Sequence, residues 1–321
     1  MLSNLYAAIV RRRRERYARR PDLRRRLRRP VISVGNLAVG GRGKTPMVAA
    51  IARELLAMNE RPAILTRGYA RAQPEDGVVV VRDPDGMRAD LARAGDEPLM
   101  LARSLPGVSV LVSADRYLAG RLAEHQFNSS VHILDDGFQH LQLDRDVDIV
   151  MIGRDDVACP VTLPTGRLRE PLDTLVAADA ILAVDDDVVV DAAGSEVPFF
   201  RTRRVLTNPS PGIPALAVAG IAAQSRFFDD LRALGTTLVG TRSFGDHYRY
   251  SRKELDRLCA EARSAGAAVV LTTEKDYVRL LPFRPFGLPV VPVALTMEPD
   301  PLHEFRQFLA GSLRAARDIV G

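Results

Sequence analysis

The chain has 321 residues, 46% apolar and 26% charged, the balance of a globular enzyme with a real core and, at this length, more than one domain. No apolar run approaches the ~18 residues of a membrane-spanning helix. The apolar stretch Leu2–Val10 precedes its charges instead of following them as in a cleavable signal peptide, and two distant cysteines, Cys159 and Cys259, offer neither a disulfide framework nor zinc spacing. A reduced compartment is expected. The net charge of +5 is uneven: residues 1–30 hold twelve arginines against Glu15 and Asp22, a local +10, and the remainder carries −5. Such a block marks an anionic partner, membrane lipid or nucleic acid. A solvated basic helix is the alternative, because the chain has 42 arginines and only three lysines.

Residues 2–29 read as helical, with Leu2, Leu5, Tyr6, Ile9 and Val10 at near-helical spacing and Pro21 and Pro30 interrupting or ending the run. Val31–Gly35 is expected as a short buried strand, Asn36–Gly43 as a glycine-rich turn, and Lys44–Asn59 as a helix with periodicity through Val48, Ile51, Leu55 and Leu56. Strands follow at Pro62–Thr66 and Val78–Val81, then a helix at Glu97–Arg103, a strand at Val108–Val112, a helix at Asp115–His125, and strands at Val131–Leu134 and Val147–Ile152. This alternation predicts an α/β fold of P-loop NTPase type, a mostly parallel sheet with helices on both faces. Residues 155–175, rich in Pro and Gly, read as a long functional loop, and the pattern weakens across Val189–Pro211. A second alternating run has strands at Ala215–Ala219, Thr237–Val239, Ala267–Leu271 and Val290–Val293, with helices at Ser225–Leu234, Arg252–Ser264 and Pro301–Ala316. Three parts are therefore expected: a basic N-terminal segment (1–30), a P-loop core (31–205) and a smaller C-terminal α/β domain (206–321).

The segment Gly40-Gly41-Arg42-Gly43-Lys44-Thr45 follows a predicted strand and opens a predicted helix, the context that a phosphate-binding loop requires. Its glycines let backbone N–H groups face phosphate oxygens, Lys44 can reach the β- and γ-phosphates, and the Thr45 hydroxyl can ligate Mg²⁺. Ala38 stands where the general pattern has its first glycine. The loop points to a nucleoside triphosphate, and so to a kinase or a nucleotide switch.

Such a site needs acidic groups at a strand end to hold the metal. The strand at Val131–Leu134 runs into Asp135-Asp136-Gly137, which suits that task or, more plainly, an Asp-Gly turn. Gln139 and His140 follow. Asp96 and Glu97, ahead of a helix, read by spacing as a cap at Asp96, or else as a base and a metal-associated group. Asp246-His247 is either structural or an aid to a base across a cleft.

Taken together, these stretches resemble the tetraacyldisaccharide 4′-kinases of lipid A biosynthesis. The resemblance runs in order through Gly35-Asn36-Leu37, the loop to Pro46, Thr66-Arg67-Gly68-Tyr69, Gly95-Asp96-Glu97-Pro98 and Asp135-Asp136-Gly137-Phe138-Gln139-His140. It continues through Leu163-Pro164, Gly166, Leu168-Arg169-Glu170-Pro171, Gly220-Ile221-Ala222, Arg226-Phe227-Phe228, Asp246-His247 and Thr272-Thr273-Glu274-Lys275-Asp276. It implies transfer of the ATP γ-phosphate to the 4′-hydroxyl of lipid A disaccharide 1-phosphate, with Mg²⁺, at the cytoplasmic face of the bacterial inner membrane. By motif, Gly40, Gly41, Arg42, Gly43, Lys44, Thr45, Pro46, Gln139 and His140 would bind nucleotide. Thr45, Glu97, Asp135 and Asp136 would serve the metal. Asp96 becomes the base, supported by His247, and Lys44 acts on the transferring phosphate. Ala223-Gln224, Tyr248 and Arg279 depart from the family's usual proline turn, second histidine and lysine.

The smaller domain is expected to close over the nucleotide, and the basic segment to lie on an anionic membrane surface. No nucleic acid and no obligate protein partner is expected. The rival readings are a P-loop switch that hydrolyses nucleotide without a lipid acceptor, and a nucleic-acid binder. The latter would need stacking aromatics along a basic groove, whereas aromatics are 6% of this chain, with no Trp.

Overall fold

The structure, a computed structural model, describes residues 2–41, 43–68, 71–189, 197–207 and 210–320. In chain order its first elements are α1 (Leu2–Arg19), β1 (Val31–Asn36), α2 (Lys44–Ala57), β2 (Pro62–Thr66), β3 (Val79–Asp83), β4 (Gly86–Met87), α3 (Leu91–Ala94) and α4 (Asp96–Ser104). Next come β5 (Ser109–Val112), α5 (Arg116–Gln126), β6 (Val131–Asp135), β7 (Val147–Ile152), α6 (Arg154–Ala158), β8 (Ala180–Ala183) and β9 (Phe199–Leu206). The remainder is β10 (Ala215–Ala219), α7 (Gln224–Ala233), β11 (Leu238–Ser243), α8 (Arg252–Ser264), β12 (Val269–Thr273), α9 (Glu274–Leu280), β13 (Val290–Val293), β14 (Leu295–Asp300) and α10 (Leu302–Val320).

Two sheets organise these elements. The larger has ten strands in the order β14-β9-β8-β7-β1-β6-β2-β5-β3-β4, parallel from β9 to β5 and antiparallel at both edges. β1 and β6 are buried at every position, as expected of central parallel strands covered on both faces. The smaller sheet is parallel throughout, in the order β11-β10-β12-β13.

The expected last domain, 206–321, is too long at its far end. The small sheet ends with β13; the chain then returns to the large sheet, where β14 pairs antiparallel with β9. Phe305, Leu309 and Leu313 of α10 bury in the same core as Met47, Val48 and Ile51 of α2. The weak stretch at Val189–Pro211 holds a strand, β9, that sequence reading missed. Phe200 and Thr202 point inward from it while Arg201 and Arg203 face out, so no apolar run betrays it. Residues 190–196 and 208–209 of that stretch, with Gly194 and Pro209, lie outside the described residues.

The helix expected over 2–29 ends at Arg19, and Pro21 opens a separate 3-10 turn. One face of α1 packs on the large unit: Ser3 and Ala7 are buried, and Arg14 pairs with Glu170 at 2.7 Å and lies over the Phe138 ring. No helix among the described residues is long and apolar enough to cross a membrane. Both cysteines are free.

Candidate active site

The register of β1 on β6 sets Val34 beside Asp135, so the loop after β1 and the acidic pair ending β6 emerge side by side at the carboxyl ends of parallel strands. The two segments meet closely: a Cβ on Gly35 would fall 2.5 Å from the Phe138 Cβ. Gly43, at φ 77°, supplies the left-handed turn into α2, and no side chain caps the helix there. The first amides of α2 therefore remain available to an anion. Pro46 sits in the first turn, where its missing N–H costs nothing. Arg42, and Tyr69 of the Thr66–Tyr69 motif, lie outside the described residues.

Lys44 Nζ donates to Asn36 Oδ1 at 2.9 Å and lies 3.4 Å from Asp136 Oδ1. Thr45 Oγ1 donates to Asp135 Oδ2 at 3.4 Å. The adjacent aspartates are opposite in character. Burial, with the nearby Glu97 and Asp136 carboxylates, pushes Asp135 up to about 7. At Asp136 burial pulls the same way, but the Arg169 guanidinium and the Lys44 ammonium outweigh it and hold the carboxyl at about 2. Arg169 grips Asp136 with two nitrogens at 2.7 and 2.8 Å and also reaches Asn36 Oδ1 at 2.5 Å.

Sequence reading named Arg169 only within a motif. The loop that carries it lies along the phosphate loop, with Val39 N donating to Arg167 O and Arg169 N to Leu37 O. Gln139 Nε2 donates to Asn36 O at 3.0 Å. His140 is held neutral at about 4 by burial and by the Arg116 and Arg145 charges. Asn36 Nδ2, Gln139 Oε1, Arg169 Nε and His140 Nε2 are buried with no partner among the described residues, an unusual concentration of unmet polar groups that suits a ligand.

The second group of side chains spans the two units. Asp96 is the first residue of α4 and not its cap; Gly95 takes that place. Asp96 Oδ1 accepts from the Glu97 amide at 3.2 Å. Its Oδ2 accepts from His247 Nδ1 at 3.1 Å and from Arg279 Nε at 2.9 Å, with Arg279 Nη2 also in contact. Burial would raise this carboxyl, but Arg279 first, then Lys275 and His247, hold it below its ordinary value. Arg279 is itself fixed by Gly220 O at 2.9 Å and Asp276 Oδ1 at 3.0 Å. Asp276, fully buried, further accepts from Gly220 N, Thr273 Oγ1 and Tyr250 OH. Lys275 Nζ joins Glu97 Oε1 at 3.1 Å, His247 Nε2 at 3.2 Å and Asp246 Oδ1 at 3.5 Å.

Of the expected site residues described, the structure brings Lys44, Thr45, Asp135 and Asp136 together on the large unit, and Asp96 with His247 across the units. Lys275 and Asn36 went unnoticed as site residues, and Arg279 was marked only as a departure. A signal for Lys275 existed: it is one of three lysines in an arginine-rich chain, as Lys44 is.

Among the described residues no three His, Cys, Asp or Glu side chains form a ready metal cage. Mg²⁺ ordinarily takes one or two carboxylates and fills its shell with phosphates and water. The crowded carboxylate of Asp135 beside the Thr45 hydroxyl fits that demand.

Comparison with known proteins agrees in one direction. Residues 1–314 match the family described as Tetraacyldisaccharide-1-P 4'-kinase. The tetraacyldisaccharide 4'-kinase of Geobacter metallireducens is 41% identical over 300 residues, covering 88% of each chain. That of Geobacter sulfurreducens is 40% identical over 316 residues, covering 92% of this chain and 88% of its own. Among solved structures, "apo" form LpxK from Aquifex aeolicus in complex with ATP superposes with a TM-score of 0.81 at 31% identity, covering 97% of both chains.

Proposed function

The chain belongs to the tetraacyldisaccharide-1-P 4'-kinase family, and from that membership we propose how its own residues divide the reaction. It is an ATP-dependent kinase that phosphorylates the 4′-hydroxyl of tetraacyldisaccharide 1-phosphate to form lipid IVA in lipid A biosynthesis. Phosphoryl transfer asks for position and charge neutralisation more than for covalent chemistry. The amides of the Gly40–Gly43 loop and of the uncapped start of α2 bind the β- and γ-phosphates, and Lys44 neutralises the group in transfer. Thr45 and Asp135 would hold Mg²⁺, with Glu97 in support, and the ion would offset phosphate charge when bound. Asp136 stays with Arg169 and Lys44 and positions the lysine.

Asp96 accepts the proton of the sugar hydroxyl. Its Oδ2 is filled by Arg279 and His247, whereas among the described residues Oδ1 meets only the Glu97 amide and keeps room for one more donor. His247 and Arg279 orient the carboxylate. The small unit, in contact through α9, keeps water from the transferring group. At the inner membrane, on its cytoplasmic face, α1 meets the anionic surface with its exposed Leu2, Leu5 and Ile9.

The observation that carries the reading is Glu97. It raises Asp135 from one side and takes Lys275 of the small unit at 3.1 Å on the other, so the metal group and the proton group meet. Transfer from γ-labelled ATP to the lipid acceptor, followed against Mg²⁺ concentration, tests it. Asp135→Asn raises the Mg²⁺ requirement at least about tenfold. Asp136→Asn slows transfer without moving that requirement. The reverse pattern exchanges the two roles, and ATP hydrolysis by the wild type without labelled lipid favours a nucleotide switch.

A further inference from the structure

Lys275 stands in the first turn of α9, and its ammonium meets acceptors on three different residues. Nζ lies 3.1 Å from Glu97 Oε1, 3.2 Å from His247 Nε2 and 3.5 Å from Asp246 Oδ1. An ammonium has three N–H groups and no acceptor, so these partners use all three. A compact ammonium can turn its donors to three residues, where a planar guanidinium presents a fixed fork. That is a reason for placing here one of only three lysines in a chain with 42 arginines.

The contact with His247 decides where that ring keeps its proton. Lys275 can only donate, so Nε2 must present its lone pair, and the ring proton sits on Nδ1. Nδ1 lies 3.1 Å from Asp96 Oδ2 and donates to it. With the proton on Nε2 instead, the lone pairs of Nδ1 and of the carboxylate would face each other at that distance. Asp246 Oδ2, 3.9 Å from Nε2, draws the proton the other way, but the lysine is nearer. An uncommon backbone brings the ring there: His247 has φ 57°, and Asp246 Oδ1 accepts from its amide at 2.9 Å. Such conformations persist where the surroundings over-determine them, commonly at functional sites.

We propose that Lys275 is a positioning residue for the transfer: by holding His247 in its Nδ1–H form, it fixes Asp96 through Oδ2 and leaves Oδ1 for the acceptor hydroxyl. The proposal rests on the assignment of Asp96 as the base and adds the group that fixes its orienting imidazole. Donation runs one way, from Lys275 to His247 to Asp96, so no proton needs to travel along the line. The bond to Glu97, the neighbour of Asp96 in the chain, ties the same ammonium to the metal side of the site.

The full chain labelled with nitrogen-15 histidine tests it, because a ring nitrogen that bears a proton and one that bears a lone pair resonate far apart. His247 is identified among the five histidines by the signals that His247→Gln removes. Wild type is expected to show a bare Nε2 and a protonated Nδ1 at neutral pH. Lys275→Met is expected to gain a proton on Nε2 and to transfer phosphate about 10–100-fold more slowly, through kcat. Its ATP affinity is expected within about twofold of wild type, and its thermal midpoint reports that it is folded. Lys275→Arg, also a donor only, is expected to keep Nε2 bare and to recover part of the rate. A wild-type ring with its proton on Nε2 overturns the proposal, and so does a Lys275→Met ring unchanged from wild type. Recovery of the wild-type rate by Lys275→Met in excess Mg²⁺ overturns it too, by placing the lysine's effect at Glu97. Failure of the base reading shows itself separately: Asp96→Asn transferring at the wild-type rate defeats that reading, and the lysine then positions nothing even with the expected tautomer.

Discussion

Asp135 and Asp96 are both buried carboxylates of one site, yet they are placed by different means. Asp135 ends a central strand whose register on β1 is fixed by backbone hydrogen bonds. Asp96 is oriented by side chains from another unit, Arg279 above all, across a separation of 183 residues. The phosphate half of the site is therefore set by the large sheet alone. The half to which we assign the proton exists only while α9 and the Asp246–His247 turn rest against α4. Nucleotide binding and phosphate transfer should accordingly come apart when the contact between units is weakened.

Arg279→Met is the strongest way to break that comparison. Removing one partner of a buried pair leaves an uncompensated charge, worth about 3–5 kcal/mol. Transfer is expected to fall by about 10²-fold or more through kcat, with ATP affinity within about twofold and partial rescue by Arg279→Lys. Equal loss of ATP affinity would show that the halves are not separate.

Met297→Ala tests the large unit from behind. This buried side chain of the returning strand β14 lies against Gly43, where a Cβ would meet it at 3.3 Å. Loss of about 2–5 kcal/mol is expected, read by denaturant unfolding, with the ATP affinity falling alongside. A loss of transfer with stability intact would instead assign β14 to the small unit.

The smallest effect sharpens the same boundary. Glu60 is opposed by burial, yet Arg317 of α10 and Ser130 hold its carboxyl below its ordinary value. A depressed carboxyl stabilises the fold above its unfolded pKa, and that contribution is lost as pH falls through the lower folded value. Arg317 is 45% exposed, so solvent screens the pair to about 0.5 kcal/mol or less. Arg317→Gln should cost that small amount at neutral pH, with the difference from wild type vanishing as pH falls below about 4.5, read by denaturant unfolding at both pH values.

The phosphate half was legible because its information is local. Gly40–Thr45 sits between a strand and a helix, and Asp135 and Asp136 end an apolar run. The proton half was not. Spacing alone made Asp96 a cap; resemblance made it a base, and the structure turns its carboxylate toward His247 and Arg279. Arg169 and Arg279 carry little signal in a chain with 42 arginines. The return of β14 and α10 escaped for a different reason. β9 alternates Phe200 and Thr202 with outward arginines, and its partner strand reaches it only after the whole small sheet has intervened.

The central claim is tested most directly by Asp96→Asn, which keeps the shape of the side chain and removes its basicity. ATP affinity and single-turnover transfer from γ-labelled ATP to the lipid acceptor would be measured on the same sample. The account predicts unchanged ATP affinity, within about twofold, and transfer reduced by about 10²–10⁴-fold, the usual worth of a positioned base. Transfer at the wild-type rate, or a parallel loss of ATP binding, would contradict it.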